Sequence, residues 1–240
     1  MALRRRWGRK PRRISTRLAV DVPRLILETR DRVPSDRSVL VAITGGDGCG
    51  KGFLAAKWRG QLQAHGLRIA LIGVDGWLNL PDKRFGGPDR AEHFYTHALR
   101  LEEMFSQLIL PLRDRRSIRV EADFAEETAT TYRKETYEFY DTDIILLEGI
   151  YLLKRKFQAH YDASFWIECT FDTALERAIQ RRQEGLSDDQ TTQAYRSIYF
   201  PAQELHFQRD DPKHAATAVV TNDPRLIQPT GALMKMYFFT

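Results

Sequence analysis

The chain has 240 residues, 42 % hydrophobic and 29 % charged, enough for one large domain with a sizeable buried core. No run approaches the ~20 apolar residues of a transmembrane helix. Its two cysteines, Cys49 and Cys169, lie in separate segments and form neither a metal-ligand nor a disulfide pattern, so a reducing, cytoplasmic setting is expected.

The formal charge of +5 is unevenly placed. Arg4, Arg5, Arg6, Arg9, Lys10, Arg12, Arg13 and Arg17 crowd the first 17 residues without one acid, and the remaining chain is net negative. Residues 1–20 therefore read as a disordered basic tail, with nucleic acid or an anionic membrane surface as the alternative partner. No apolar core follows the arginines, which speaks against a secretory signal; an organellar transit peptide stays open.

Residues 21–37 form a leading segment, with a helix over "RLILETRDR" (24–32) ended near Pro34. "VLVAIT" (39–44) is a buried strand. From Lys51 a helix carries Leu54, Trp58 and Leu62 on one face and stops at Gly66, and "RIALIGVD" (68–75) is the second strand. Residues 99–110 form a helix with Leu101, Met104, Phe105 and Leu108 at core spacing, closed by Pro111. The stretch 118–142 reads as short strands or a hairpin. "IILLEG" (144–149) and "SFWIECT" (164–170) are strands, 172–184 is a helix ended by Gly185, and "TAVVT" (217–221) is a late strand. Such alternation marks an α/β fold with a parallel sheet. The apolar end "ALMKMYFF" (232–239), within a tail over 224–240, is expected to pack on the domain or on a second subunit of a homo-oligomer.

Gly45, Gly50 and Lys51 match G-x-x-x-x-G-K between a strand and a helix, the pattern of a phosphate-binding loop. Glycines at 45, 46, 48 and 50 let backbone N–H groups surround phosphates, the helix N-terminus adds partial positive charge, and Lys51 supplies a full one. Gly45, Gly46, Asp47, Gly48, Cys49, Gly50, Lys51, Gly52 and Phe53 are thus the candidate ATP contacts. Gly52 stands where such loops usually carry the serine or threonine hydroxyl that touches Mg²⁺.

Asp75 and Glu148 each end an apolar strand, and ligands of open α/β sheets bind at the carboxyl ends of the strands. A carboxylate at Asp75 can take the proton of an attacking hydroxyl. His93 and His97 share a helix face, but no Glu follows His93 and no third ligand is evident, so no zinc site is expected.

Together, "GGDGCGKG" (45–52), "VDGW" (74–77), "ADF" (122–124), "LLEGIYLL" (146–153), "ALERAIQRRQEG" (174–185) and "ATAVVTND" (216–223) resemble the uridine kinase, phosphoribulokinase and bacterial pantothenate kinase superfamily, over residues 38–223. The resemblance implies a P-loop fold with helices on both sheet faces and a small lid near 177–190. It also implies Asp75 as the base, Glu148 with Asp75 at the metal, and lid arginines Arg177, Arg181 and Arg182 on the transferred phosphate. Trp77, Arg84, Asp123 and Phe124 are the implied acceptor contacts. Ala122 replaces the tyrosine that frames the base in uridine kinases, so the acceptor is left open among nucleosides, pantothenate-like molecules and sugars. A kinase is the leading expectation. A nucleotide-binding adaptor that lost catalysis at Gly52, or a nucleic-acid-associated protein using the basic tail, are the alternatives.

Overall fold

The computed structural model describes residues 20–182 and 185–226, so the expectations for the basic tail and the apolar C-terminal end lie outside the described residues, as do positions 183 and 184 of the lid region. Five parallel strands form the central sheet in the order β2-β5-β1-β6-β7: β1 Val39–Gly45, β2 Ile69–Gly73, β5 Ile144–Gly149, β6 Ala163–Glu168 and β7 Ala218–Thr221. Every residue of β1 is buried, as a near-continuous apolar run in the middle of a two-sided sheet requires.

The alternating side chains of β1 divide two cores. Val39, Val41 and Ile43 pack beneath helices α1 (Val22–Arg30) and α2 (Lys51–Gln63), with Ile26, Trp58 and Leu62. Leu40 and Ala42 face the opposite layer, with Phe94, Met104, Leu108 and Ala202. That layer holds α3 (Pro81–Arg84), α4 (Arg90–His97), α5 (Leu101–Met104), α6 (Leu110–Arg115), α7 (Arg155–Gln158), α8 (Phe171–Arg181), α9 (Asp188–Ala194) and α10 (Phe200–Asp210), and a short α11 (Pro212–Ala215) leads into β7. Residues 118–139 form an antiparallel hairpin of β3 (Ile118–Phe124) and β4 (Arg133–Phe139), with Ala122 opposite Glu135. No helix among the described residues is long and apolar enough to cross a membrane.

Two helix ends differ from the sequence reading. Pro111 does not close the 99–110 helix: a π-turn over Phe105–Ile109 carries it onward to Arg115, with the Leu110 N–H donating to the Phe105 carbonyl. The wider turn moves the carbonyl that a proline ring strikes in a regular helix, and proline needs no acceptor of its own. The same device precedes Pro201, where a π-turn over Tyr195–Tyr199 joins α9 to α10. Helix α8 stops at Arg181 rather than running to Gly185, because Arg182 takes a left-handed conformation at φ +49°.

Candidate active site

The loop after β1 is shaped by left-handed glycines, Gly48 at φ +70° and Gly50 at φ +83°, conformations that cost a residue with a β-carbon. It is held from outside by its own carbonyls. Asn222, just past β7, donates from Nδ2 to the Cys49 carbonyl at 2.9 Å. Arg177 of α8 donates to the carbonyls of Gly48 at 3.4 Å and Asn222 at 3.0 Å. Tying carbonyls to the protein in this way turns the loop's N–H groups inward, although that of Gly48 donates to Asp47 Oδ1 at 2.9 Å. Lys51 is only 6 % exposed, and its Nζ folds back to the Gly46 carbonyl at 2.9 Å.

Three carboxylates surround that lysine. Burial alone would lower the pKa of Lys51, but the charges of Glu148, Asp47 and Asp75, with the Cys49 sulfur, hold it above its ordinary value. Glu148 sits at the end of β5 in register with Ile43 of β1 and Gly73 of β2, and so stands between the loop and Asp75. A β-carbon on Gly52 or Gly73 would lie 3.8 Å or 3.9 Å from its Oε2, so these two glycines leave its carboxylate uncovered. Asp75 occupies a 3₁₀ turn, Val74–Gly76, directly after β2, and is exposed. Desolvation by the cleft walls raises the pKa of both acids; Lys51 opposes the rise, while Asp75 and Asp47 add to it at Glu148.

Asp47 behaves differently. Burial pushes its pKa up, yet Lys51, Arg181, the Tyr195 hydroxyl and the Gly48 N–H together bring it below the ordinary range. Arg181 lies 3.6 Å from it, and the Tyr195 hydroxyl donates to its second oxygen. The charge of Arg181 also reaches Asp75 and Glu148. Arg182 turns to Asp188 of α9 at 3.6 Å. The predicted lid arginines therefore divide: Arg177 against the loop backbone, Arg181 over the loop's carboxylate, Arg182 within the lid region.

Cys49 is 1 % exposed and its thiol is pushed up by burial, so it packs rather than reacts. Phe53 is half exposed on the first turn of α2.

The four acceptor candidates do not line one surface. Trp77 has no exposed area and stacks on Tyr137 at 5.7 Å, because the 3₁₀ turn directs it into the core. Arg84 is 1 % exposed and paired with Glu127 at 2.6 Å. Neither presents a free face to a small molecule. Asp123 pairs with Lys134 across the hairpin at 2.7 Å. Phe124 alone touches the turn that carries Asp75: its ring lies 2.5 Å from where a β-carbon on Gly76 would stand. Among the described residues no three His, Cys, Asp or Glu side chains come together closely enough to hold a metal unaided. Asp75 and Glu148 nevertheless fit one that brings its own phosphate ligands, since Mg²⁺ in nucleotide sites is shared between one or two carboxylates and phosphates.

Asn222 and Tyr195 complete the site without having been singled out in the sequence. Asn222 follows the last strand in "VVTND", a position whose register is itself a signal; nothing local marks Tyr195.

No family model matches the chain. Its curated relatives include the uridine kinase of Limosilactobacillus reuteri, 31 % identical over 147 residues, or 60 % of this chain. The chain spans 65 % of the length of that relative. Of the solved structures, a possible uridine kinase from Bacillus stearothermophilus aligns with TM-score 0.64 at 18 % identity, covering 82 % of this chain and 96 % of that one. Phosphoribulokinase from Rhodobacter spheroides aligns with TM-score 0.57 at 12 % identity, covering 82 % and 74 %. The chain is thus similar in sequence to uridine kinases over part of its length and is built on the P-loop kinase fold.

Proposed function

We propose that the protein is an ATP- and Mg²⁺-dependent kinase that transfers the γ-phosphate to a hydroxyl of a small metabolite. What carries the reading is the convergence of Lys51, Asp75, Glu148 and Arg181 at the carboxyl end of the sheet, where the charges of Lys51 and Arg181 both act on both carboxylates. Phosphoryl transfer asks for positioning and charge neutralisation above all. The loop backbone and Lys51 hold the phosphates, and Arg181 offsets charge on the transferred group. The acceptor oxygen bonds to the γ-phosphorus as the bond to the bridging oxygen breaks and ADP departs. The acceptor proton passes to Asp75, which is exposed just past the end of β2. Mg²⁺, where bound, neutralises phosphate charge; Glu148 and Asp75 are the side chains that would hold it.

Gly52 supports a second reading, a nucleotide-binding adaptor with impaired catalysis, because its missing hydroxyl removes a metal contact. The retained Asp75 and Glu148 favour the enzyme. Turnover on nucleosides (uridine first, after the named relatives), pantothenate and sugars decides between them, with Asp75→Asn as the control. The kinase reading expects turnover on at least one acceptor, abolished by Asp75→Asn while ATP binding persists. ATP binding without turnover on the whole panel favours the adaptor, and turnover that survives Asp75→Asn removes the assigned base.

A further inference from the structure

A cleft of about 640 Å³, distinct from the phosphate loop, opens between α4, the start of α5, α7 and the end of α10. Its charges are out of balance in a specific way. Each acidic group around it is engaged: Glu103 with Arg100 at 2.9 Å, Glu102 with Lys156, and Glu92 with Arg209 at 2.6 Å. Asp210 accepts from the Tyr95 hydroxyl at 2.6 Å and the Arg155 backbone N–H at 2.9 Å, and its Oδ2 lies 2.7 Å from His206 Nδ1. Among the described residues, Lys83, Lys154 and the Arg155 guanidinium have no carboxylate partner.

Lys154 is the central case. It is partly buried, donates one hydrogen bond to the Tyr95 carbonyl at 2.5 Å, and lies over the Tyr95 and Tyr151 rings at 4.2 Å and 5.3 Å. Burial brings its pKa down to about 8, helped by Arg209 and opposed by Asp210 and Glu92. A desolvated ammonium normally carries a counter-ion. Among the described residues, two of its three donors have no protein acceptor. The cleft shares no lining residue with the phosphate loop, Asp75 or Glu148.

We propose that this cleft is a second ligand site, for a small, multiply charged oxyanion (a phosphate ester or a polycarboxylate) that supplies the counter-ion of Lys154 and is flanked by Lys83 and Arg155. The volume suits a metabolite rather than a lone ion, since small-molecule pockets run from roughly 300 to 1,000 Å³. Lys83, Lys154, Arg155 and the aromatic Tyr95 all line it.

Calorimetry on the full chain with pyrophosphate and, separately, citrate tests the site. A Lys51→Ala background removes binding at the phosphate loop. In that background, pyrophosphate or citrate is expected to bind still, and Lys154→Met to weaken it by about tenfold or more, the usual effect of losing a charge-assisted hydrogen bond. The exposed pair Lys83→Gln with Arg155→Gln is expected to weaken binding several-fold, and reads the site should Lys154→Met fail to fold. Preference for pyrophosphate identifies a phosphate ester, preference for citrate a polycarboxylate. No binding of either probe in the Lys51→Ala chain, or equal affinity with and without the cleft substitutions, overturns the site. Pyrophosphate binding to wild type that ignores Lys51→Ala but depends on Lys154 leaves the cleft standing and counts against the phosphate loop instead.

Discussion

Glu148 points its Oε2 to within 3.8 Å of where a side chain on Gly52 would begin. This is ordinary van der Waals distance, so the space left by the missing hydroxyl is real and can be refilled. Gly52→Ser is expected to fold normally, to gain a few tenths of a kcal/mol from helix propensity, and to keep or tighten Mg·ATP binding. Calorimetry with and without Mg²⁺ checks it. Tightening confined to the Mg²⁺ titration is expected; weaker Mg·ATP binding would mean that Glu148 and the new hydroxyl compete for one position.

Asp75 is useful as a base only when ionised, and desolvation raises its pKa above the ordinary aspartate value. Turnover is therefore expected to fall as pH drops through that raised pKa, at a higher pH than an exposed aspartate would give. Lys51 holds the shift down, so Lys51→Met should displace the acid limb further upward while sharply weakening ATP binding. A pH–rate profile at saturating substrate measures both; an acid limb that is unmoved in residual Lys51→Met activity excludes Asp75 as the titrating base.

Arg177 and Arg181 lie one turn apart on α8 and are expected to fail in different ways. Arg177 grips the carbonyls of Gly48 and Asn222, so it positions the loop. Arg177→Met should raise the KM for ATP with a smaller change in kcat. Arg181 faces Asp47 and reaches Asp75 and Glu148 through its charge. Arg181→Met should lower kcat by about 10²-fold or more, the scale of losing one electrostatic stabiliser of the transition state, and leave nucleotide affinity closer to wild type. Steady-state kinetics on both variants gives the contrast, and identical KM and kcat effects would remove the distinction.

These arginines also show what local sequence can carry. The strand–loop–helix unit around Lys51 was legible because glycine spacing, an apolar run and a helix start coincide within a few residues. Asp75 and Glu148 could be placed because strand ends are where the apolar signal stops. The burial of Trp77 and Arg84 was not legible, since a short 3₁₀ turn sends the tryptophan inward and Glu127, 43 positions later, pairs with the arginine. Pro111 misread as a stop because a π-turn leaves no periodic trace. Helix α10 hides its own inner face: Gln203, His206 and Asp210 are buried beside Ala202, so its polar stripe looks like a solvent side.

Asp223 bears the most readable pH signal in the fold. Its side chain is fully buried, next to the Asn222 that holds the loop. It accepts from Thr170 N–H at 2.7 Å, Thr170 Oγ1 at 2.6 Å, Thr173 Oγ1 at 2.8 Å and Arg225 N–H at 2.8 Å. Burial opposes ionisation, but these donors win and bring the carboxyl to about 2, against 3.8 for an ordinary aspartate. A folded-state pKa below the unfolded one contributes stability that is present above about pH 4 and lost as pH falls towards 2, here on the order of 2 kcal/mol. Asp223→Asn keeps the shape but turns an amide NH₂ towards hydrogen-bond donors, so it should lower the urea midpoint at pH 7 and flatten this part of the stability–pH curve. Because Asn222 moves with its neighbour, nucleotide affinity should fall with it. Urea melts of wild type and variant from pH 7 down to about 2.5 settle the matter: equal stability at every pH would show that the Thr170–Asp223 bridge contributes nothing, whereas curves that converge in acid would locate the loss at this one carboxylate.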